Sequence, residues 1–538
     1  MERFDVVVVG GRCAGAPLAT MLAQRGMRVC LLDKARFPSE TLSTHVIQPC
    51  GVGVLDRIGL LDGILAAGAV PLTRFSFVND GARMEAELDD GLFDHPSISM
   101  RRVVLDRLLI DGAAAAGVDV RTGVRVTGLL REDGRVAGVT AGEEHVSARL
   151  VVGADGRGST VGEIAGARKY RLAPPGRVFA WAYFEGVEPD GHLRLASLGD
   201  LTYVAGPTDG GLYLAAACPP MGDRASFLAD REGGYAAALA AWPQLSGLLA
   251  GATRSGPIRV MANWHGYFRQ AAGPGWVLLG DAGNFKDPSP AQGIADALRQ
   301  GERLADAIAT GFKAGDPDAA VRDWGRWRDE DGREMHWFAA DMGAAPDARP
   351  LADQILRDIA VDREDTRKFL RMLNHEIKPS RLFTAGRIAR AAAQIIRHEP
   401  RQIPAMLKEG VREVQKEIHR AAQRPPASTT ERLLLTLTVV GFVVPNACVI
   451  LFFGNEGFDV GGYFSLWFAS TPSTQLVLDL GIAALAFFVW AVAEARRAPF
   501  DWWWLCIPAT FLVGLCFGLP LFLWMRERAL WKHAPGRA

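Results

Sequence analysis

The 538-residue chain has no excess of either charge: 60 lysines and arginines balance 60 acids. No basic surface is implied, so nucleic acid is not expected as a partner. The seven cysteines (Cys13, Cys30, Cys50, Cys218, Cys448, Cys506, Cys516) contain no C-x-x-C pair. Their scatter argues against a disulfide framework and a cysteine-based zinc site, and no metal is expected. No leader-like segment precedes the first strand-like run, Phe4 to Val9, so the bulk of the protein is expected in the cytoplasm. A glycine is also missing where one is common. In "VVVVGGRCAGAPL" Gly10 and Gly15 hold the outer positions of a G-x-G-x-x-G turn, but Arg12 holds the middle one.

The chain divides by hydropathy. Up to about Thr430 it reads as soluble and globular, and beyond it come three apolar runs: Leu433 to Phe453, Gln475 to Ala493 and Trp502 to Met525. Each has the roughly 20 residues needed to cross a bilayer core of about 30 Å. They predict a multi-pass membrane protein with helices at about 433–453, 475–493 and 502–525. The first loop has no Lys or Arg and the second carries Arg496 and Arg497, which favours a cytoplasmic N-terminus. That arrangement leaves Arg526, Arg528, Lys532 and Arg537 outside, against the same rule.

The soluble part predicts an α/β fold. The all-valine run Val6 to Val9 reads as a strand buried on both faces. A helix from about Gly15 to Arg25 and a second strand, Arg28 to Leu32, complete a βαβ unit. Asp33 ends that strand 18 positions after Gly15, close to the spacing of a ribose-binding carboxylate. "RLVVGADGRGSTV" sets Asp155-Gly156 after another apolar strand, and "GWVLLGDAGNFKDPSPAQGIADAL" sets Gly280-Asp281 after a third. Strand ends followed by glycine turns are where open α/β sheets bind ligands. The helix that opens near Gly293, after Pro288 and Pro290, offers its positive end to the same place.

These motifs, with "RRVVLD" placing Arg102 in an R-x-x-L-D pattern, resemble the FAD-dependent single-component flavoprotein monooxygenases of p-hydroxybenzoate-hydroxylase-like fold. Geranylgeranyl reductases and flavin halogenases are relatives of that family. The resemblance covers about residues 4 to 330. It implies a Rossmann-type FAD-binding domain with an inserted β-sheet substrate domain, FAD as cofactor and NAD(P)H as reductant. The FAD-binding parts are expected at about 1–70, 97–168 and 265–335, and the substrate domain at about 71–96 and 169–264. Cofactor contacts are expected from Gly10, Gly11, Arg12, Ala14 and Gly15 of the first turn and from Asp33 and Lys34 after the second strand. The others are Arg102, Asp155, Gly156, Gly280, Asp281, Pro288 and Gly293. Asp33 is implied at the adenosine ribose, Arg102 at the nucleotide chain and Asp281 at the ribityl. Arg12 either curls over the pyrophosphate or turns away from it.

The implied chemistry is hydroxylation or epoxidation, through a flavin hydroperoxide, of a lipophilic substrate, isoprenoid or aromatic. The alternative is reduction of polyprenyl double bonds, whose Y-x-W-x-F-P pattern is half kept by Tyr203 and Pro207 in "TYVAGPTDGG". A halogenase pattern, W-x-W-x-I-P, finds only Trp181 in "FAWAYFEG". A membrane-anchored redox sensor is the non-enzymatic alternative. "TLSTHVIQPC" is placed beside the flavin, with Thr44 and His45 as pocket residues, His45 as a proton donor, and Lys286 as a cation for an anionic substrate or flavin.

Residues 336–424 read as a helical basic juxtamembrane segment, and 425–432 as a linker. Ile403, Leu407, Val411, Val414 and Ile418 recur at helical spacing. Residues 361–424 hold 15 Lys and Arg against 8 acids, which suits an anionic leaflet. Residues 433–538 resemble a small uncharacterised bacterial three-helix membrane family, carried by "LTVVGFVVPNACVILFF" and "DWWWLCIPATFLVGLCFGLPLFLWMRER". Membrane lipid is an expected partner, as is a second copy through the membrane helices, with Gly514 and Gly518 as a close-packing pair. Asp479 is expected as a polar group inside that bundle.

Overall fold

The computed structural model describes residues 3–41, 43, 45–79, 82–88, 90–344, 348–423, 429–456, 459–497 and 502–533. It forms two compact units, Met1–Gln423 and Arg424–Ala538.

In the first unit the valine run forms strand Arg3–Val9, flanked in parallel by Val29–Asp33 and Glu144–Gly153. Trp276–Leu278 and Asp119–Thr122 extend this sheet on its two sides. Both faces are buried, as the unbroken apolar run requires. Val6 and Val8 face the helices Gly15–Gln24, Arg102–Ala115 and Gly293–Ala314, while Val7 and Val9 face the hairpin Gly128–Glu132/Arg135–Ala141. That hairpin turns at Asp133-Gly134, as its sequence predicts.

The first turn shows why its outer glycines stand where they do. Gly10 has φ +103°, and a Cβ there would overlap the Ala154 carbonyl; a Cβ at Gly15 would overlap the Gly10 carbonyl. Arg12 has no left-handed φ, so this turn does not demand glycine at its middle position.

A seven-stranded sheet forms the second layer. Its order is Thr253–Met261, Phe179–Glu185, Leu212–Cys218, Leu201–Thr208, His192–Leu198, Arg74–Asn79 and Ala82–Glu87. These strands fall within the two stretches assigned to a substrate domain. Alternation splits its faces. Ala180, Ala182 and Phe184 cover Tyr235, Trp242 and Leu245 of the small helices, whereas Phe179, Trp181 and Tyr183 face the other way.

The helical segment is not a separate body. Helix Pro317–Gly343 runs through the expected 335/336 boundary, and Ile355, Ile359, Phe369, Leu370 and Leu373 share one core with Phe75, Phe77 and Met84 of the second sheet. The physical reason is burial: helix Arg363–Leu373 carries a strong apolar face, and the sheet offers it an apolar one.

In the second unit two helices are long and apolar enough to cross a membrane, Leu433–Asn455 and Thr471–Arg496. The third run differs from the single span expected. It breaks into helices Cys506–Leu512 and Leu515–His533 at Gly514, whose φ of +128° no helix allows. Gly518 lies against Thr510 and the Cys506 carbonyl, so the second piece folds back along the first. Arg526 Nε then donates to Glu494 Oε1 at 2.8 Å, at the end of the Thr471–Arg497 helix. Gly514 is therefore a turn and not half of a helix-packing pair. Asp479 lies on the exposed side of its helix, not inside the bundle.

Gly15→Ala is expected to lower the thermal midpoint and strip bound ligand, because overpacking of this kind costs about 1–3 kcal/mol. Gly63→Ala, with open space around it in helix Leu61–Ala66, is the control and should match the parent.

Candidate active site

The carboxyl ends of strands Arg3–Val9, Val29–Asp33, Glu144–Gly153 and Trp276–Leu278 converge on one cavity of about 920 Å³. Most of the expected contact residues line it: Gly10, Arg12, Ala14, Asp33, Lys34, Arg102, Asp155, Gly156, Gly280, Asp281, Pro288 and Gly293, with Lys286. Gly11 and Gly15 support the turn from behind. Gly11 donates its N–H to Asp33 Oδ2 at 2.7 Å, while Asp33 Oδ1 accepts from Ala35 N–H at 2.7 Å. A carboxylate has lone pairs beyond these two, so Asp33 retains acceptor capacity toward the cavity.

Arg12 turns sideways. Its Nη1 donates to Asp106 Oδ2 at 2.6 Å, its Nη2 to Ser39 Oγ at 2.8 Å, and its guanidinium lies over the Phe37 ring. Arg102 grips the same carboxylate through Nε at 2.8 Å and Nη2 at 3.1 Å, and reaches Ser43 Oγ at 3.1 Å. Asp106 is fully buried and thus anchors two guanidinium groups at the cavity wall. It is the final letter of R-x-x-L-D, four residues after Arg102 on one helix face, and the sequence reading gave it no role.

Asp155 spends its carboxylate locally. Ser159 Oγ donates to it at 2.5 Å and Thr160 N–H at 2.6 Å, opening helix Thr160–Ile164. Asp281 is different. Its carboxyl accepts no hydrogen bond from the described residues, and burial pushes it up to about 6 against the pull of Arg157 and Arg102. Arg157, directly after Gly156, also lines the cavity.

Lys286 is buried at the cavity edge. Its Nζ lies 2.7 Å from Asp296 Oδ2 and donates to Gln292 Oε1 at 2.6 Å. Burial lowers the lysine, with Asp296 opposing; burial would raise Asp296, but Lys286 and His375 hold it well below the usual carboxylate range. His375 comes from the far helical segment. It follows helix Arg363–Leu373 in a left-handed conformation, φ 62°, and sets Nε2 2.7 Å from Asp296 Oδ1. Gln292 Nε2 closes the link by donating to the Leu373 carbonyl at 2.6 Å. No local sequence signal pairs residues 296 and 375.

The structure does not bring His45 to this cavity. His45 is buried, its Nε2 meets the Tyr183 hydroxyl, and it lines a smaller cavity of about 220 Å³ with Arg101, Arg102 and Arg259. Thr44 lies outside the described residues.

The larger cavity has two ends of different chemistry. One is polar, built by the first turn, Asp33, Lys34, Arg102 and Asp281; the other is apolar, built by Phe179, Trp181, Leu214, Met261, Trp264 and Phe285. A half-buried carboxyl that accepts no hydrogen bond from the described residues suits a hydroxyl-bearing ligand, and the close-packed backbone turn suits phosphate. These residues fit FAD.

Fold and cavity thus define an FAD-binding domain. Residues 3–184 match the family described as FAD binding domain, and residues 433–528 match the protein family of unknown function DUF2834. Over 176 residues the chain is 34% identical to 6-methylpretetramide 4-monooxygenase of Streptomyces rimosus, spanning 30% of this chain and 40% of that protein. Over 380 residues it is 28% identical to digeranylgeranylglycerophospholipid reductase 1 of Methanococcoides burtonii, spanning 68% of this chain and 88% of that protein. A flavoprotein/dehydrogenase from Cytophaga hutchinsonii shares the fold, with TM-score 0.62 and 18% identity over 74% of this chain and 99% of that one.

Asp106→Asn is expected to lower both flavin occupancy and thermal midpoint, since unpairing a buried charge such as Arg102 costs about 3–5 kcal/mol. Arg12→Ala leaves the Arg102–Asp106 pair intact and should cost about 1 kcal/mol or less. Flavin absorbance per mole of protein and a melting curve measure both. Equal losses in the two variants would mean that Asp106 is not the shared anchor.

Proposed function

We propose that the protein is a membrane-tethered FAD-dependent monooxygenase of a lipophilic substrate, isoprenoid or aromatic, with NAD(P)H as reductant. The observation that carries this reading is the apolar end of the cavity. Phe179, Trp181 and Leu214 present one face of the second sheet to it, and Trp264 and Phe285 continue the wall. Such a wall excludes water and binds by area, about 25 cal/mol per Å² buried. FAD, when bound, supplies the redox and oxygen chemistry. The chain's own share is to hold the nucleotide at the polar end, to orient the substrate against the aromatic wall, and to keep the cation of Lys286 at the edge through Asp296 and Gln292.

Reduction of a polyprenyl lipid is the second reading. It is favoured by the reductase match running along 88% of that relative's length, whereas the monooxygenase match covers 40% of its relative. The full-length protein with bound flavin, given NAD(P)H and prenyl or aromatic lipids under isotopically labelled oxygen, separates the two. Label in the product supports oxygenation. Saturation of a double bond without oxygen supports reduction. No turnover in either condition overturns both and leaves the redox sensor.

Membrane tethering is supported by the two long apolar helices. The hairpin at Gly514 brings Arg526 beside Glu494, next to Arg496 and Arg497 in the chain, which removes the charge conflict of a three-span tail. A reporter fused at the C-terminus is expected on the side of the Arg496-Arg497 loop, the cytoplasm. Activity of a periplasm-dependent reporter at that end would contradict it.

A further inference from the structure

Helix Ile403–Ala422 is turned inside out. In a soluble domain the apolar stripe of a helix faces the core. Here the inward side is charged. Glu409 accepts the N–H groups of Leu351 and Ala352 at 2.7 and 3.2 Å, capping the neighbouring helix Pro350–Val361. Lys416 and Arg420 both reach Asp341, at 3.2 and 2.5 Å, and Arg420 lies over the Trp337 ring. The stripe Leu407, Val411, Val414 and Ile418 faces out, at 62%, 59%, 61% and 66% exposure. Helix Ala385–His398, which precedes it, adds exposed Ile388 and Ile396.

Four apolar residues on one exposed side, backed by charges that bond inward, are not a solvated helix face. The polar bonds fix which side is out, so the helix has no rotation that hides the stripe. Basic groups accompany it. Arg390, Arg397, Arg401 and Lys408 are exposed and form no salt bridge among the described residues. The chain then enters the apolar helix Thr429–Glu456 within ten residues.

We propose that helix Ile403–Ala422 lies in the headgroup region of an anionic membrane, with Leu407, Val411, Val414 and Ile418 in the acyl boundary and the exposed arginines and Lys408 among lipid phosphates. Apolar area and basic charge together are what interfacial helices use. This rests on the membrane reading above and adds a second, non-spanning contact to it.

The test uses the full-length flavin-loaded protein in discs of phosphatidylcholine and phosphatidylglycerol doped with a phospholipid carrying a photoreactive acyl chain. After illumination, labelled peptides are mapped by mass spectrometry. Peptides from 403–422 are expected to be labelled alongside those from 429–533. A variant with Leu407→Ser, Val411→Ser, Val414→Ser and Ile418→Ser keeps every inward bond. It should retain its flavin and lose label in 403–422 by about tenfold, with 429–533 unchanged. Label confined to 429–533 in the parent overturns the proposal while the membrane reading stands. The same discs treated with an amine-reactive bifunctional crosslinker report the alternative: Lys408–Lys408 or Lys416–Lys416 links between two copies, with no lipid label in 403–422, overturn the proposal in favour of a second copy on that face. Absence of label throughout removes the membrane reading and this proposal with it.

Discussion

The cavity exists because two backbone segments touch with no side chain between them. Gly10 lies against the Ala154 carbonyl, and Gly15 against the carbonyl of Gly10. That approach sets the carboxyl ends of the first and fourth Rossmann-type strands side by side and leaves the Gly10–Gly15 turn open toward the ligand. Any β-carbon at either position would separate the strands or close the turn. Nothing of the kind applies at position 12, and the freedom is used. The Arg12 side chain leaves the turn and joins Arg102 on Asp106, so the charge common to this wall is organised around one buried carboxylate.

Around this hinge point the rest of the unit is arranged by polarity. The nucleotide-facing end is made of turns and charged groups, and the second sheet closes the other end with aromatic and aliphatic side chains. The late helices are part of the same construction. His375 and the Leu373 carbonyl reach back to Asp296 and Gln292, which in turn hold Lys286. Burial lowers the lysine. The paired carboxylate opposes that shift, and the carboxylate itself is held from a segment some eighty residues further along the chain.

Much of the polar end was legible in the sequence, because its elements are local. The valine run, the outer glycines, Asp33, and the Asp-Gly and Gly-Asp turns each announce a strand end within a dozen residues, and all fall at the cavity. What was not legible depends on distance or on direction. His45 follows a suitable strand, yet it packs on Tyr183 from the second sheet, a pairing no spacing encodes. Asp155 lines the cavity as its motif predicts, and its carboxylate also opens a helix through the Ser159-Thr160 pair, a second use the motif does not announce. The third apolar run has the length of a span. One glycine at φ +128° turns it into a hairpin, and hydropathy averaged over twenty residues does not see a single dihedral.

Helix Ile403–Ala422 shows the same limit of local pattern. Periodicity identifies the helix from Ile403 onward and says that its apolar residues share a side. It does not say which way that side faces, because the same stripe serves a core or a membrane. The direction is set by Glu409, Lys416 and Arg420, whose partners Leu351, Ala352 and Asp341 lie far earlier in the chain, on other helices. Their bonds turn the charged face inward. A helix so held contributes little hydrophobic stabilisation to its own domain, because Leu407, Val411, Val414 and Ile418 stay exposed. The stripe of Ile403–Ala422 and the apolar run of the helix Thr429–Glu456 thus share one property, large apolar side chains on the outside of the fold.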